Sequence, residues 1–179
     1  MCIETIQTLD RTWGSCLFSA EPGNSLTILA SIAFGIPLQF DKVYTEGISH
    51  ITREDVGYAE EFGYRIKHLG FARRTGNGIE LRVHPTLIPQ ETMLANVNEA
   101  YNALYITGDA VGNVMLYGSG AGMMPTGSAV VGDLVDVSRN LLTGAVGRVP
   151  LVGYQPDQVK ARRIKSIEEL ETEYYFRFS

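Results

Sequence analysis

The stretch from Val114 to Asn140, VMLYGSGAGMMPTGSAVVGDLVDVSRN, constrains this chain more than any other. An apolar run, Val114 to Tyr117, enters three closely spaced glycines, Gly118, Gly120 and Gly122. Pro125 and Thr126 follow, and then a helical pattern over Ser128–Leu142. Val130, Val131, Leu134, Val137, Ser138 and Leu141 form its inner face, and Gly144 stands beyond its end. Strand, glycine turn, helix start is an order that brings backbone close to a ligand, because glycine lacks a Cβ and reaches positive φ at little cost. Free N–H groups and the positive dipole end at a helix N-terminus favour an anionic or polar ligand. The same order also serves as a plain tight connection, and the residues alone are compatible with either role.

The rest of the chain supplies hairpins for that stretch to join. Tyr64–Phe71 and Ile79–Leu87 read as two strands around a turn holding Gly76, Asn77 and Gly78, with Pro85 and Pro89 closing the second. In that second strand Ile79, Leu81 and Val83 alternate with Glu80, Arg82 and His84, the pattern of a half-buried strand. Ala100–Thr107 and Val114–Tyr117 form a second hairpin across residues 108–113. Two hairpins argue against a purely parallel sheet. The expected fold class is therefore α/β, with a mixed, largely antiparallel sheet and helices mainly on one face.

Three further helices are expected. Ser25–Phe34 is apolar on most sides and so buried, with Asn24 or Ser25 as N-cap and Gly35 and Pro37 as stop. Thr52-Arg53-Glu54-Asp55 has the spacing of a capping box and opens a helix ending at Gly63. Near the N-terminus Ile3, Ile6, Leu9 and Trp13 recur at helical spacing and predict a short amphipathic helix. Lys42–Ile48 is a short strand candidate, and the final EYYFRFS, Glu173–Ser179, has the composition of a strand.

Charge and composition exclude several functions. The net charge of −5 leaves no nucleic-acid footprint, and the one basic cluster, Lys160, Arg162, Arg163 and Lys165, sits beside Glu168, Glu169, Glu171 and Glu173 as a solvated face. No apolar run approaches membrane-spanning length. Cys2 and Cys16 lack CxxC spacing and fit a reducing, cytoplasmic setting. His50, His68 and His84 fall in different elements, and no metal site is expected. Gly118, Gly120 and Gly122 do not make the dinucleotide fingerprint G-x-G-x-x-G, because Met123 occupies the third glycine position.

Longer phrases carry more information. LTILASIAFG, VYTEGISHIT, EFGYRIKHLGFARR, RVHPTLIP, ANVNEAYNALYITGDAVG and the opening stretch itself resemble, in this order, the catalytic domain of the homoserine dehydrogenase family over Leu26–Asn140. The glycine stretch is similar to the family pattern G-x-G-A-G-x-x-P-T-A-S-A-V-x-x-D, with Gly127 in place of its alanine. The resemblance implies NAD- or NADP-dependent interconversion of L-homoserine and L-aspartate 4-semialdehyde, on the route to threonine, methionine and isoleucine. It also implies a homodimer formed through the sheet, a small-molecule substrate, and no nucleic-acid or membrane partner. On the family pattern Gly122 is the sharpest cofactor-contact candidate, with Gly120 and Ala121 as its neighbours.

The departures from the pattern define expectations too. The family's acid–base lysine precedes L-T-I-L-A, and here that position is Ser25, with Glu21 where its acidic partner stands. A serine hydroxyl cannot replace an ammonium group as proton donor near neutral pH. The family's G-T-T-N-Y-I-L tract and its N-terminal Rossmann domain have no counterpart in the residues given. The resemblance thus divides the chain into an atypical segment 1–24, a catalytic-domain-like unit 25–145, and a segment 146–179 that resembles a linker into the first strand of an ACT module. It points to a truncated family member inactive alone, to a chain completed by a partner, or to a non-catalytic dimerising or ligand-binding remnant.

Overall fold

The computed structural model describes residues 2–7, 22–99, 101–120, 122–145 and 153–178. Six strands, β1 (Cys2–Gln7), β2 (Tyr44–Thr45), β3 (Tyr64–Thr75), β4 (Gly78–Pro89), β5 (Tyr101–Gly108) and β6 (Gly112–Ser119), form one sheet. Their order is β2-β4-β3-β1-β5-β6, and every pairing is antiparallel except the short parallel contact of β2 with β4. Three α-helices accompany it: α1 (Pro22–Phe34), α2 (Arg53–Glu61) and α3 (Met123–Thr143). The mixed, largely antiparallel sheet expected from the two hairpins is present, and both hairpins are in it.

Strand alternation separates two cores. On one face Ala72, Ile79, Leu81 and Val83 pack against Leu26, Ala30 and Phe34 of α1, and Ile36 joins them. Leu69, Ile88 and Ala103 point to the opposite face, where Leu94 and Ala95 of a 3-10 turn and Val97 just after it cover them. Thr27 and Ser31, polar yet buried on α1, are satisfied locally: Thr27 Oγ1 accepts from Gln39 N (3.1 Å) and Ser31 Oγ donates to the Ile36 carbonyl (2.6 Å).

Several expectations change. The N-terminal residues 2–7 form a strand between β3 and β5, not a helix. Ile3 and Ile6 have helical spacing, but the run CIETIQ is rich in β-branched residues, and a vacant slot between two strand edges outweighs a single helical turn. Leu9 and Trp13 lie outside the described residues. Helix α1 starts at Pro22, so Asn24 and Ser25 sit within its first turn and do not cap it. Proline's fixed φ suits a helix start, which is why Pro22 can open this element. The strand β4 runs through Pro85, which pairs with His68, to Pro89. Residues 173–178 join no sheet, because no neighbouring backbone edge pairs with them.

The C-terminal segment returns to the body. Tyr154 donates its hydroxyl to the Ala33 carbonyl (3.0 Å), Lys160 N donates to Gly35 O (3.0 Å), and Ile79 bridges Ile164 in parallel. Lys165 therefore leaves the solvated cluster it was assigned to: its Nζ meets Glu80 Oε1 at 3.2 Å in a nearly enclosed pair. Arg163 keeps the expected exposed role with Glu169.

Candidate functional site

The β5–β6 hairpin delivers the glycine turn to the end of the sheet. Its register sets Asn102 opposite Gly118 and Tyr101 opposite Ser119. The Tyr101 and Tyr117 rings stack at 4.9 Å and 11°, fixing the two strands where the turn departs. Tyr101 N donates to the Asn98 carbonyl (3.3 Å), and the Asn98 side chain accepts from Lys67 Nζ (3.0 Å). Lys67 also donates to the Val97 carbonyl (2.5 Å). Burial, helped by the charge of Arg65, holds the Lys67 ammonium below the ordinary lysine pKa. A buried lysine on β3 thus anchors the segment that leads into the site hairpin.

The glycines of the turn differ in what they need. Gly122 is the N-cap of α3 with φ 125° and ψ 152°, a combination open almost only to glycine. Its carbonyl accepts from Thr126 N (3.1 Å), and no side chain caps the helix. Gly120 has no positive φ. A Cβ there would stand 1.8 Å from Asn102 Nδ2 and 2.3 Å from its Cγ, so the Asn102 amide fills the space a side chain would take. Gly118 has open space around it.

Of the expected cofactor residues, Gly120 and Gly122 lie together at the head of α3, and Ala121 lies outside the described residues. Ser25 is on another element, exposed in the first turn of α1, and Glu21 is outside the described residues. The helix α3 contradicts its expected inner face: Val130, Val131, Leu134, Val137 and Leu141 are all exposed, because no described element packs on them. Asn102 was missed. The expected turn at 108–113 would have set it opposite Ser119; the shorter turn, with Gly108 facing Gly112, sets it opposite Gly118.

The histidines are held structurally. His50 Nε2 meets Glu46 Oε1 (2.9 Å), His68 Nε2 meets the Glu46 carbonyl (3.0 Å), and His84 Nδ1 donates to the Pro85 carbonyl (2.9 Å). His84 also stacks on Phe71 at 5.4 Å, and burial depresses its pKa. Among the described residues no three His, Cys, Asp or Glu side chains are grouped to hold a metal ion, and no helix is long and apolar enough to cross a membrane.

The glycine turn of this α/β domain thus opens an uncapped helix at a sheet end, and the chain's relatives are oxidoreductases. The family profile described as Homoserine dehydrogenase matches residues 21–135, well over half of the chain, and the chain belongs to that family. It is 59 % identical over 157 residues to a homoserine dehydrogenase of Pseudomonas aeruginosa, a match covering 88 % of this chain and 36 % of that protein. A homoserine dehydrogenase of Neisseria gonorrhoeae is 48 % identical over the same shares. The crystal structure of a homoserine dehydrogenase from Thiobacillus denitrificans superposes with a TM-score of 0.77 at 59 % identity, covering 83 % of this chain and 34 % of that one. The chain spans about a third of the curated relatives it matches.

Proposed function

We propose that this chain carries the glycine-turn side of a homoserine dehydrogenase site, which interconverts L-homoserine and L-aspartate 4-semialdehyde with NADP or NAD. The observation that carries this proposal is the Gly118–Gly122 turn at the uncapped head of α3, inside the span that matches the family. The residues fit the nicotinamide end of such a cofactor. Small residues allow close approach, and the N–H groups of Met123 and Met124 are free of any side-chain cap. A bound nicotinamide would supply the hydride. This chain's part is to hold the ring's polar edge through Gly120, Ala121 and Gly122 and to orient it toward the substrate.

Reduction of an aldehyde also needs a proton on the developing alkoxide. Ser25, exposed on α1 where the family has its lysine, cannot supply it near neutral pH. The isolated chain is therefore a dehydrogenase domain without turnover of its own. Purified protein given NADPH and aspartate semialdehyde is expected to show no loss of absorbance at the reduced-nicotinamide band. Steady turnover by this chain alone would overturn the assignment of Ser25 to the lysine position.

We further propose that the chain pairs with a second copy through the uncovered part of the sheet. On the face covered by the 3-10 turn, Phe71, Tyr105 and Met115 stay only partly buried among the described residues, which supports a partner surface there. Purely monomeric sedimentation would refute this pairing. Residues 25–145 would form the catalytic-domain unit and 146–179 the link toward an ACT-like module in the cytoplasm.

A further inference from the structure

We propose that Asn102 both shapes the glycine turn and reads its ligand, by hydrogen-bonding the carboxamide of a nicotinamide ring through its own side-chain amide. This inference rests on the turn facing the nicotinamide, as proposed above. Two observations carry it. First, the Asn102 amide lies directly over Gly120, where a Cβ would come within 1.8 Å of Nδ2, 2.3 Å of Cγ and 2.9 Å of Oδ1. Gly120 has no positive φ, so its backbone does not demand glycine, and the neighbouring amide does. Second, among the described residues the Asn102 side chain makes no hydrogen bond, although it is half-buried at the strand end opposite Gly118. Its amide atoms are not sealed from solvent, so their donors and acceptor stay open to an incoming ligand where β5 meets the turn.

The chemistry of the partner follows from the amide. Asparagine offers one acceptor oxygen and two N–H donors in a plane. A primary carboxamide on an aromatic ring presents the complementary set and can pair with it in two parallel bonds. A carboxylate, or a ring without the substituent, would leave half of the set unmet. Asn102 would then discriminate among pyridine nucleotides by the group at the ring's 3-position, while the turn's N–H groups hold it in place.

The test is a titration of the isotope-labelled chain with nicotinamide mononucleotide, followed by amide NMR, beside the same nucleotide lacking the carboxamide. Shifts are expected at Gly118, Gly120 and Gly122 and at the Asn102 side-chain NH2. The carboxamide should favour binding by roughly tenfold, the scale of one or two neutral hydrogen bonds. Asn102→Ala should abolish that preference, so that the two nucleotides bind alike. Gly120→Ala should displace the amide and lose the preference as well. The double variant N102A/G120A, in which the new methyl occupies the space left by the amide, should regain the turn's hydrogen-exchange protection but not the preference. Shifts at the glycines with an unchanged preference in Asn102→Ala would overturn the role of Asn102 and leave the cofactor-facing turn standing. No shift at any of the three glycines at millimolar nucleotide would overturn both.

Discussion

Gly120 and Gly122 are glycines for unrelated reasons. Gly122 needs its φ of 125°, whereas Gly120 needs only room for Asn102. Gly122→Ala should cost on the order of 1–3 kcal/mol at the start of α3, the range for a strained backbone position. Because no residue of α3 is buried, the loss should appear as faster amide exchange in the helix's first turn, with the melting of the sheet unmoved. His84 gives a second residue-level prediction. Burial, and then the charge of Arg82, set its folded pKa below the ordinary 6.5. The unfolded chain therefore binds the proton first as pH falls, and the stability tied to neutral His84 is complete above 6.5 and is lost below it. His84→Gln should flatten the acid side of a denaturant-midpoint profile below about pH 6.5. The family resemblance singled out Gly122 in the sequence, and its φ of 125° gives a backbone reason for a glycine there. The sequence left the reason for Gly120 hidden, since that reason is a side chain eighteen positions earlier, brought across by hairpin register.

Elements whose signals are local were readable from the chain. Thr52 accepts from Asp55 N (3.2 Å), and Asp55 Oδ2 accepts from Thr52 N (2.8 Å), the reciprocal cap that the TRED spacing announces. Thr52→Ala should destabilise by about 1 kcal/mol in urea unfolding, the usual cost of a lost N-cap. The same Asp55 meets Tyr175 Oη and Arg177 Nε from the far end of the chain, and Arg177 also pairs with Glu54. Fraying of α2 should therefore loosen residues 174–178 as well, seen as earlier tryptic cleavage after Arg177 in T52A. Elements whose identity depends on distant partners were not readable. The alternating segment 173–178, with the rings of Tyr174, Phe176 and Phe178 stacked at 5.9 and 6.4 Å, has a strand's pattern and, among the described residues, no strand beside it. The apolar stripe on α3 likewise predicts a helix correctly and its burial incorrectly, because periodicity records a face without recording what meets it.

At the scale of the whole molecule, the fold class followed from two hairpins, and the sheet order did not. Antiparallel neighbours joined by short turns are local, whereas the seat of β1 depends on strands far along the chain. The exposed stripe Val130, Leu134, Val137 and Leu141 has its consequence at this scale too. An apolar face of that length invites association. Leu134→Glu should lower concentration-dependent aggregation measured by light scattering and leave the unfolding midpoint within about 0.5 kcal/mol, as for a surface change.

Strand β1 pairs with β3 through all of its residues and with β5 through the same ones. It leaves the ribosome before either of its rails and is the last of the three that can be seated. Until then β3–β4 and β5–β6 are two separate hairpins, each with one raw edge turned toward the other. A nascent chain in that condition has two ways to close: its own β1 ribbon, or the same ribbon from a neighbour on the polysome. Exchange of β1 between copies would leave every hydrogen bond of the sheet intact, so dilution during synthesis, more than any residue in the core, decides which ribbon fills the gap.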